Sequence, residues 1–188
     1  MVIRCGWSGR SNGQYGQGGE WTNKLYFTDD AENPGESPVE ISDDEVETYF
    51  AEVEGTEENI VDARIYKNNL FTSWLPKLGG MWHEFTVVES KSWYWSFEKN
   101  AEGIQVQRGK TLKSVRDSFR GEARVGSVEP EGRPPTKGHK GDTIQHIFVW
   151  IYKKDELNKD YHVTKSNCHF LASMVFEAIA RLKGRKLQ

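Results

Sequence analysis

The sequence predicts an α+β domain in which an antiparallel β-meander packs against a C-terminal helix that carries a cysteine. Three observations predict it. Between Trp82 and Arg108, short aromatic-rich segments alternate in polarity and are separated by turn residues, the pattern of half-buried strands joined by tight connections. From Asn167 onward Phe170, Leu171, Met174, Val175, Ala178, Ile179 and Leu182 recur at helical spacing, marking the buried stripe of an amphipathic helix. The chain has 188 residues, of which 12% are aromatic, enough bulk to fill a real core.

The elements follow in chain order. Residues 5–20 are glycine-rich and polar and read as a tail or a series of turns. Residues 21–28 (WTNKLYFT) alternate as a strand does, and Asn33-Pro-Gly-Glu-Ser-Pro is a loop. Ser42 and Glu45 are spaced as a capping box, and Val46, Tyr49, Phe50 and Val53 continue a short acidic helix that ends near Gly55. Residues 60–66 form a strand, and the apolar stretch 70–78 is broken by Pro76. Gly79-Gly80 marks a boundary: residues 1–78 are an N-terminal extension of added strands or a lid, and 79–188 the main domain. The acidic segment 43–58 is a candidate to lie on the basic loop 130–140.

The meander then comprises 82–89, with His83, Phe85 and Val87 on one face, followed by 92–98 and 104–108. Residues 112–119 read as a short helix and 130–142 as a Pro/Gly-rich loop. The apolar run 144–152 (IQHIFVWIY) reads as a strand. Ser166 or Asn167 caps the final helix, with Gly184 as its stop.

Composition excludes several classes. The formal charge of −3 is not that of a nucleic-acid binder, although residues 29–62 hold neither lysine nor arginine and 91–140 are basic by comparison. No apolar run is long enough to span a membrane, and the N-terminus lacks a hydrophobic signal core. With two cysteines, Cys5 and Cys168, a reducing compartment fits better than a secreted disulfide scaffold, so a cytoplasmic location is expected. The cysteines and histidines lack zinc-ligand spacing, and the glycines at 6–19 do not link a strand to a helix. Neither a metal nor a cofactor is expected.

Cys168 carries the chemistry. In the first turn of a helix, free N–H groups and the macrodipole favour negative charge. A thiol there falls from about 8.5 toward roughly 3.5–7.5 when a histidine is near. The thiolate attacks, and the same N–H groups, with Asn167 and Ser166 at the cap, support an oxyanion. His83 is the preferred base, because it shares its strand face with buried residues and stands at the strand's entrance, facing a helix packed there. His146, in the apolar run, and His162, near Cys168 in the chain, are the alternative bases; His139 and His169 are weaker rivals.

The segment Ser166-Asn167-Cys168-His169-Phe170 resembles the Asn-Cys-x-His-Phe motif of the lecithin:retinol acyltransferase-like proteins and the PPPDE peptidases. Both are circularly permuted relatives of the NlpC/P60 papain-like fold. The order also resembles theirs, since the histidine that opens a strand, His83, precedes the cysteine that opens a helix. The likeness covers roughly residues 79–188. It departs from the motif in lacking a residue between Cys168 and His169, which leaves the role of His169 open.

The resemblance implies a permuted papain-like fold and a Cys168–His83 dyad. It places any orienting residue on the strand after the histidine, where Glu98 is the weak choice, Ser96 shares its face, and Gln107 lies one strand further on. It implies a thiol hydrolase of peptide or amide bonds, or an acyltransferase, acting on a protein or acyl substrate. The absence of a hydrophobic tail favours the peptidase or amidase over a lipid acyltransferase. The alternative is a non-catalytic binding module on the same fold.

Overall fold

The structure, a computed structural model, describes residues 24–35, 38–69, 82–159, 161 and 166–181. In chain order these form β1 (Lys24–Thr28), β2 (Val39–Ser42), α1 (Val46–Glu52) and β3 (Ile60–Asn69). The meander is β4 (Trp82–Ser90), β5 (Tyr94–Asn100) and β6 (Gly103–Gly109). It is followed by α2 (Leu112–Arg116), the two-residue strands β7 (Ser118–Phe119) and β8 (Glu122–Ala123), and β9 (Val128–Pro130). Helices α3 (Ile144–Lys153) and α4 (Cys168–Arg181) complete the order. The protein is thus α+β, with a mostly antiparallel sheet and four α-helices among the described residues.

Seven strands form one sheet in the order β2-β1-β6-β5-β4-β3-β9, in which only β1 and β6 are parallel. The register places Thr86 opposite Phe97 and Phe97 opposite Val106, so aromatic and β-branched residues pair across the centre, where they pack best. The β5–β6 turn requires glycine. Gly103 has φ +138°, and a Cβ there would stand 2.5 Å from the Lys24 carbonyl oxygen. Pro130, which has no N–H to donate, lies on the edge strand β9, where its lack of a donor is tolerated.

Helices α1, α3 and α4 cover one face of the sheet around Phe27, Ile65, Val88, Trp95 and Phe97. The opposite face holds Tyr66, Phe85 and Val87 with Val115 of α2. Expected and observed packing differ here. The C-terminal helix lies on the Thr86–Val88 face, and the Thr86 hydroxyl donates to the Ala172 carbonyl at 2.7 Å. It does not lie on the face shared by His83, Phe85 and Val87. Cys168 meets His83 only because both stand at the ends of their elements.

The run 144–152 is helix α3 and not a strand. A short apolar run fits either structure by composition, but Ile144, Ile147, Phe148 and Ile151 recur at helical spacing and are the buried positions. Phe148 stacks on Phe50 of α1 with ring centroids 3.5 Å apart. The segment before residue 70 is woven into this architecture, for β1, β2 and β3 belong to the same sheet as the meander. The Gly79-Gly80 boundary and the stretch 70–78 lie outside the described residues, as do Cys5, His162 and residues 5–20.

Candidate functional site

Cys168 is the first residue of α4 and is 1% exposed. Two local devices fix it. Asn167 is the cap, its Oδ1 accepting the Phe170 N–H at 2.9 Å, which satisfies one free donor of the first turn. Ser166 has a different role from the expected one. Its hydroxyl accepts from the Lys99 ammonium at 2.8 Å, and Lys99 also donates to the carbonyls of Glu156 and Lys159 at 2.9 and 2.7 Å. A buried lysine on β5 therefore ties the segment leading into the cysteine to the sheet.

The His83 ring and the Cys168 sulfur interact, each favouring the charged form of the other. On its other side, Nε2–H donates to Glu98 Oε2 at 2.8 Å, so Nδ1 is the nitrogen left to face the sulfur. Glu98 is 2% exposed and is gripped by Arg124, whose Nη2 and Nη1 donate to Oε1 and Oε2 at 2.6 and 3.1 Å. The Arg124 guanidinium also covers the Phe85 ring at 4.0 Å. Sulfur, imidazole, carboxylate and guanidinium thus form one buried chain.

A second chain reaches the same sulfur. The His169 ring also interacts with Cys168, and its Nδ1 forms an ion pair with Glu84 Oε2 at 3.1 Å. The other oxygen of Glu84 accepts from the Trp82 indole N–H at 2.9 Å. The Glu84 backbone N–H also favours the thiolate, and the Tyr161 hydroxyl stands 3.8 Å from the sulfur. His83 is buried, but the His169 side chain is 41% exposed.

These contacts set the protonation states. Burial pushes the Cys168 thiol up, but hydrogen bonds from His169 and His83, the His83 charge and the Glu84 N–H outweigh it and bring the thiol down to about 5. Burial depresses His83, yet its bonds to Cys168 and Glu98 raise it to about 9. Burial raises Glu98, and the Arg124 charge with the His83 contact brings it down to about 2. His169 rises to about 10, chiefly through Cys168 and Glu84. These shifts all favour a thiolate with imidazolium partners, His83 backed by Glu98 and His169 by Glu84.

The structure brings Cys168, His83, Glu98, Asn167 and Ser166 together. His146 is elsewhere: it is an exposed residue in the first turn of α3, with Nδ1 accepting the Thr143 N–H at 3.2 Å. Ser96 is buried on β5, and Gln107 donates to the carbonyls of Val115 and Ser118. Sequence reasoning missed Arg124, Glu84, Lys99 and Trp82 as parts of the site. The strand alternation carried a signal for Glu84 and Lys99, polar residues on an otherwise apolar face. Arg124 carried none, for it reaches Glu98 from the segment after β8, 26 residues further along the chain.

Among the described residues, no group of three or more His, Cys, Asp or Glu side chains is arranged to hold a metal ion. No described helix is long and apolar enough to cross a membrane. The chain matches no protein-family model, no curated protein and no solved structure.

Proposed function

We propose that this chain is a cysteine-dependent hydrolase of amide or peptide-type bonds, with Cys168 as nucleophile, His83 as its proton partner and Glu98 as the orienting group, on a permuted papain-like arrangement. One observation carries the reading. The only cysteine among the described residues stands at a helix N-terminus against an imidazole whose far nitrogen is pinned by a buried carboxylate. The order supports it too: the histidine begins one strand, the carboxylate lies on the next, and the cysteine opens the closing helix.

The chemistry follows from the geometry. The thiolate attacks the carbonyl carbon, and the first-turn N–H groups of α4 face the developing oxyanion. The Glu98 carboxylate, neutralised behind by Arg124, keeps His83 oriented and charged beside the sulfur. Collapse of the adduct gives a thioester, which water resolves. An alcohol or amine acceptor in place of water makes the same site an acyltransferase. Either reaction needs Cys168 as a free thiol, in keeping with the cytoplasmic location expected from the two cysteines.

The test is the pH profile of Cys168 alkylation by iodoacetamide. Burial of the sulfur scales the rate at every pH alike, so the pH at which alkylation turns on reports the thiol itself. Turn-on near pH 5, moved up by His83→Ala, is the expected result. Turn-on at the pH of a small free thiol would sink the reading and leave a binding module.

A further inference from the structure

We propose that His169 is a second catalytic histidine, which protonates the leaving group and then deprotonates the water that resolves the thioester, while His83 holds the thiolate. The inference rests on the thiol-acyl chemistry proposed above and divides its proton transfers between two rings.

The division follows from where each ring sits. His83 is 8% exposed and closed in by Glu98, Arg124, Phe85 and the sulfur. It has no open path to a leaving group that departs toward solvent. His169, the residue after Cys168 in α4, interacts with the same sulfur and has 41% of its side chain exposed. Its orientation is fixed in the same way, by a carboxylate. Glu84 is 7% exposed and pairs with Nδ1 at 3.1 Å, while the Trp82 indole N–H occupies its other oxygen. Trp82 also presents its ring edge-on to His169, with centroids 5.7 Å apart. With Nδ1 on Glu84, Nε2 is the nitrogen that serves the sulfur, and its proton is released to the leaving group once the sulfur has bonded carbon. A histidine that was only a thiolate counter-charge would need neither the pinned tautomer nor the open side.

The steps balance. The Cys168 sulfur forms a bond to the carbonyl carbon, the carbon–nitrogen or carbon–oxygen bond breaks, and the leaving group takes the proton from His169 Nε2. The now neutral ring removes a proton from water, whose oxygen attacks the thioester carbon. The carbon–sulfur bond breaks, the thiolate is restored between two imidazolium rings, and the acid leaves. Glu84 and Trp82 act as positioning residues.

The experiment compares two acetyl esters whose leaving groups differ in basicity, 4-nitrophenyl acetate and phenyl acetate. Acetylation of Cys168 is followed by intact mass, with Cys168→Ala as the blank. Each acetylation rate is divided by the same variant's iodoacetamide rate, which needs no proton transfer to the departing iodide and absorbs any change in thiolate content. For His169→Gln the normalised rate with 4-nitrophenyl acetate should change little, whereas that with phenyl acetate should fall about 100-fold or more, the usual scale of general acid catalysis. The acetyl adduct should also persist longer. Glu84→Gln should show the same selective loss at a smaller factor, and it carries the test if His169→Gln does not fold. Equal losses for both esters, with an unchanged adduct lifetime, overturn the role of His169 alone. If the wild-type protein forms no Cys168-dependent adduct even with 4-nitrophenyl acetate, the acyl-transfer reading falls and this inference falls with it.

Discussion

His83 and Glu98 are joined by a 2.8 Å hydrogen bond inside the fold, and the carboxylate that holds the ring is itself held by Arg124. Glu98 lies on β5 and His83 on β4, on the sheet face away from α4, so the site draws its orienting group from the opposite side of the sheet to its nucleophile.

Glu98→Gln separates support of the fold from support of the site. Arg124 and His83 would be left buried without a counter-charge, and losing one partner of a buried pair costs about 3–5 kcal/mol. Urea denaturation should show a loss of that size, and alkylation of Cys168 should turn on at higher pH because the imidazolium is less favoured. Glu98→Gln with Arg124→Met removes the stranded guanidinium and should recover much of the stability. It should not recover the low turn-on. A double variant that regains both would show Glu98 to be a partner of Arg124 and nothing more.

The same carboxylate predicts an acid limb with a definite sign. Glu98 ionises at about 2 in the folded chain against an ordinary 4.5, so its contribution is complete above pH 4.5 and disappears as pH falls through about 2. The stability gap between wild type and Glu98→Gln should be open at pH 4.5 and close toward pH 2. His83, raised from 6.5 to about 9, behaves oppositely: its contribution is complete below 6.5 and is lost as pH rises through about 9. A gap that stays open at pH 2 would show that Glu98 is not held as a carboxylate.

Asn167 allows the cap and the charge to be tested apart. Asn167→Ala removes the acceptor of the Phe170 N–H and should cost about 1 kcal/mol. Asn167→Asp keeps an acceptor and suits the helix dipole, so thermal unfolding should be little changed. It also sets a carboxylate beside Cys168, and like charge disfavours the thiolate. Its alkylation should therefore turn on at higher pH than in wild type. An unmoved turn-on would mean that the sulfur is not ionised near the cap.

Much of this was legible in the sequence because it is written locally. The meander follows from alternation in 82–108, and the position of Cys168 follows from a polar cap ahead of a helical stripe. Glu98 was reachable as a carboxylate on the strand after His83. What was not legible is long-range. The helix α3 was hidden because residues 147–152 are apolar without a break, which suits a buried strand or a helix alike, and only packing against Phe50 selects the helical stripe. The face on which α4 lies depends on how the closing segment crosses the sheet, which no local pattern records. Arg124 and Lys99 act on residues 26 and 67 positions away in the chain, beyond any spacing rule.

Removing residues 1–78 tests whether the cysteine site is an independent unit. In the sheet β3 pairs along β4, and β1 lies parallel to β6 with Phe27 beside Val106. The Ile60 N–H donates to the Asp142 carbonyl at 2.8 Å, and Ala63 exchanges backbone hydrogen bonds with Thr136. The acidic segment 43–58 contributes Phe50, stacked on Phe148, and so is part of the core layer. A chain of residues 79–188 would expose both edges of its three-stranded meander, which invites pairing with other copies, and would uncover the apolar faces of α3 and Trp95. Such a chain should show no cooperative unfolding, and Cys168 should alkylate with the pH profile of a free thiol. In the full chain, Phe50→Ala alone should cost about 3–5 kcal/mol, read by urea denaturation. A cooperatively folding 79–188 fragment that kept the low alkylation turn-on would refute this, and would make the first 78 residues an accessory to a self-sufficient site.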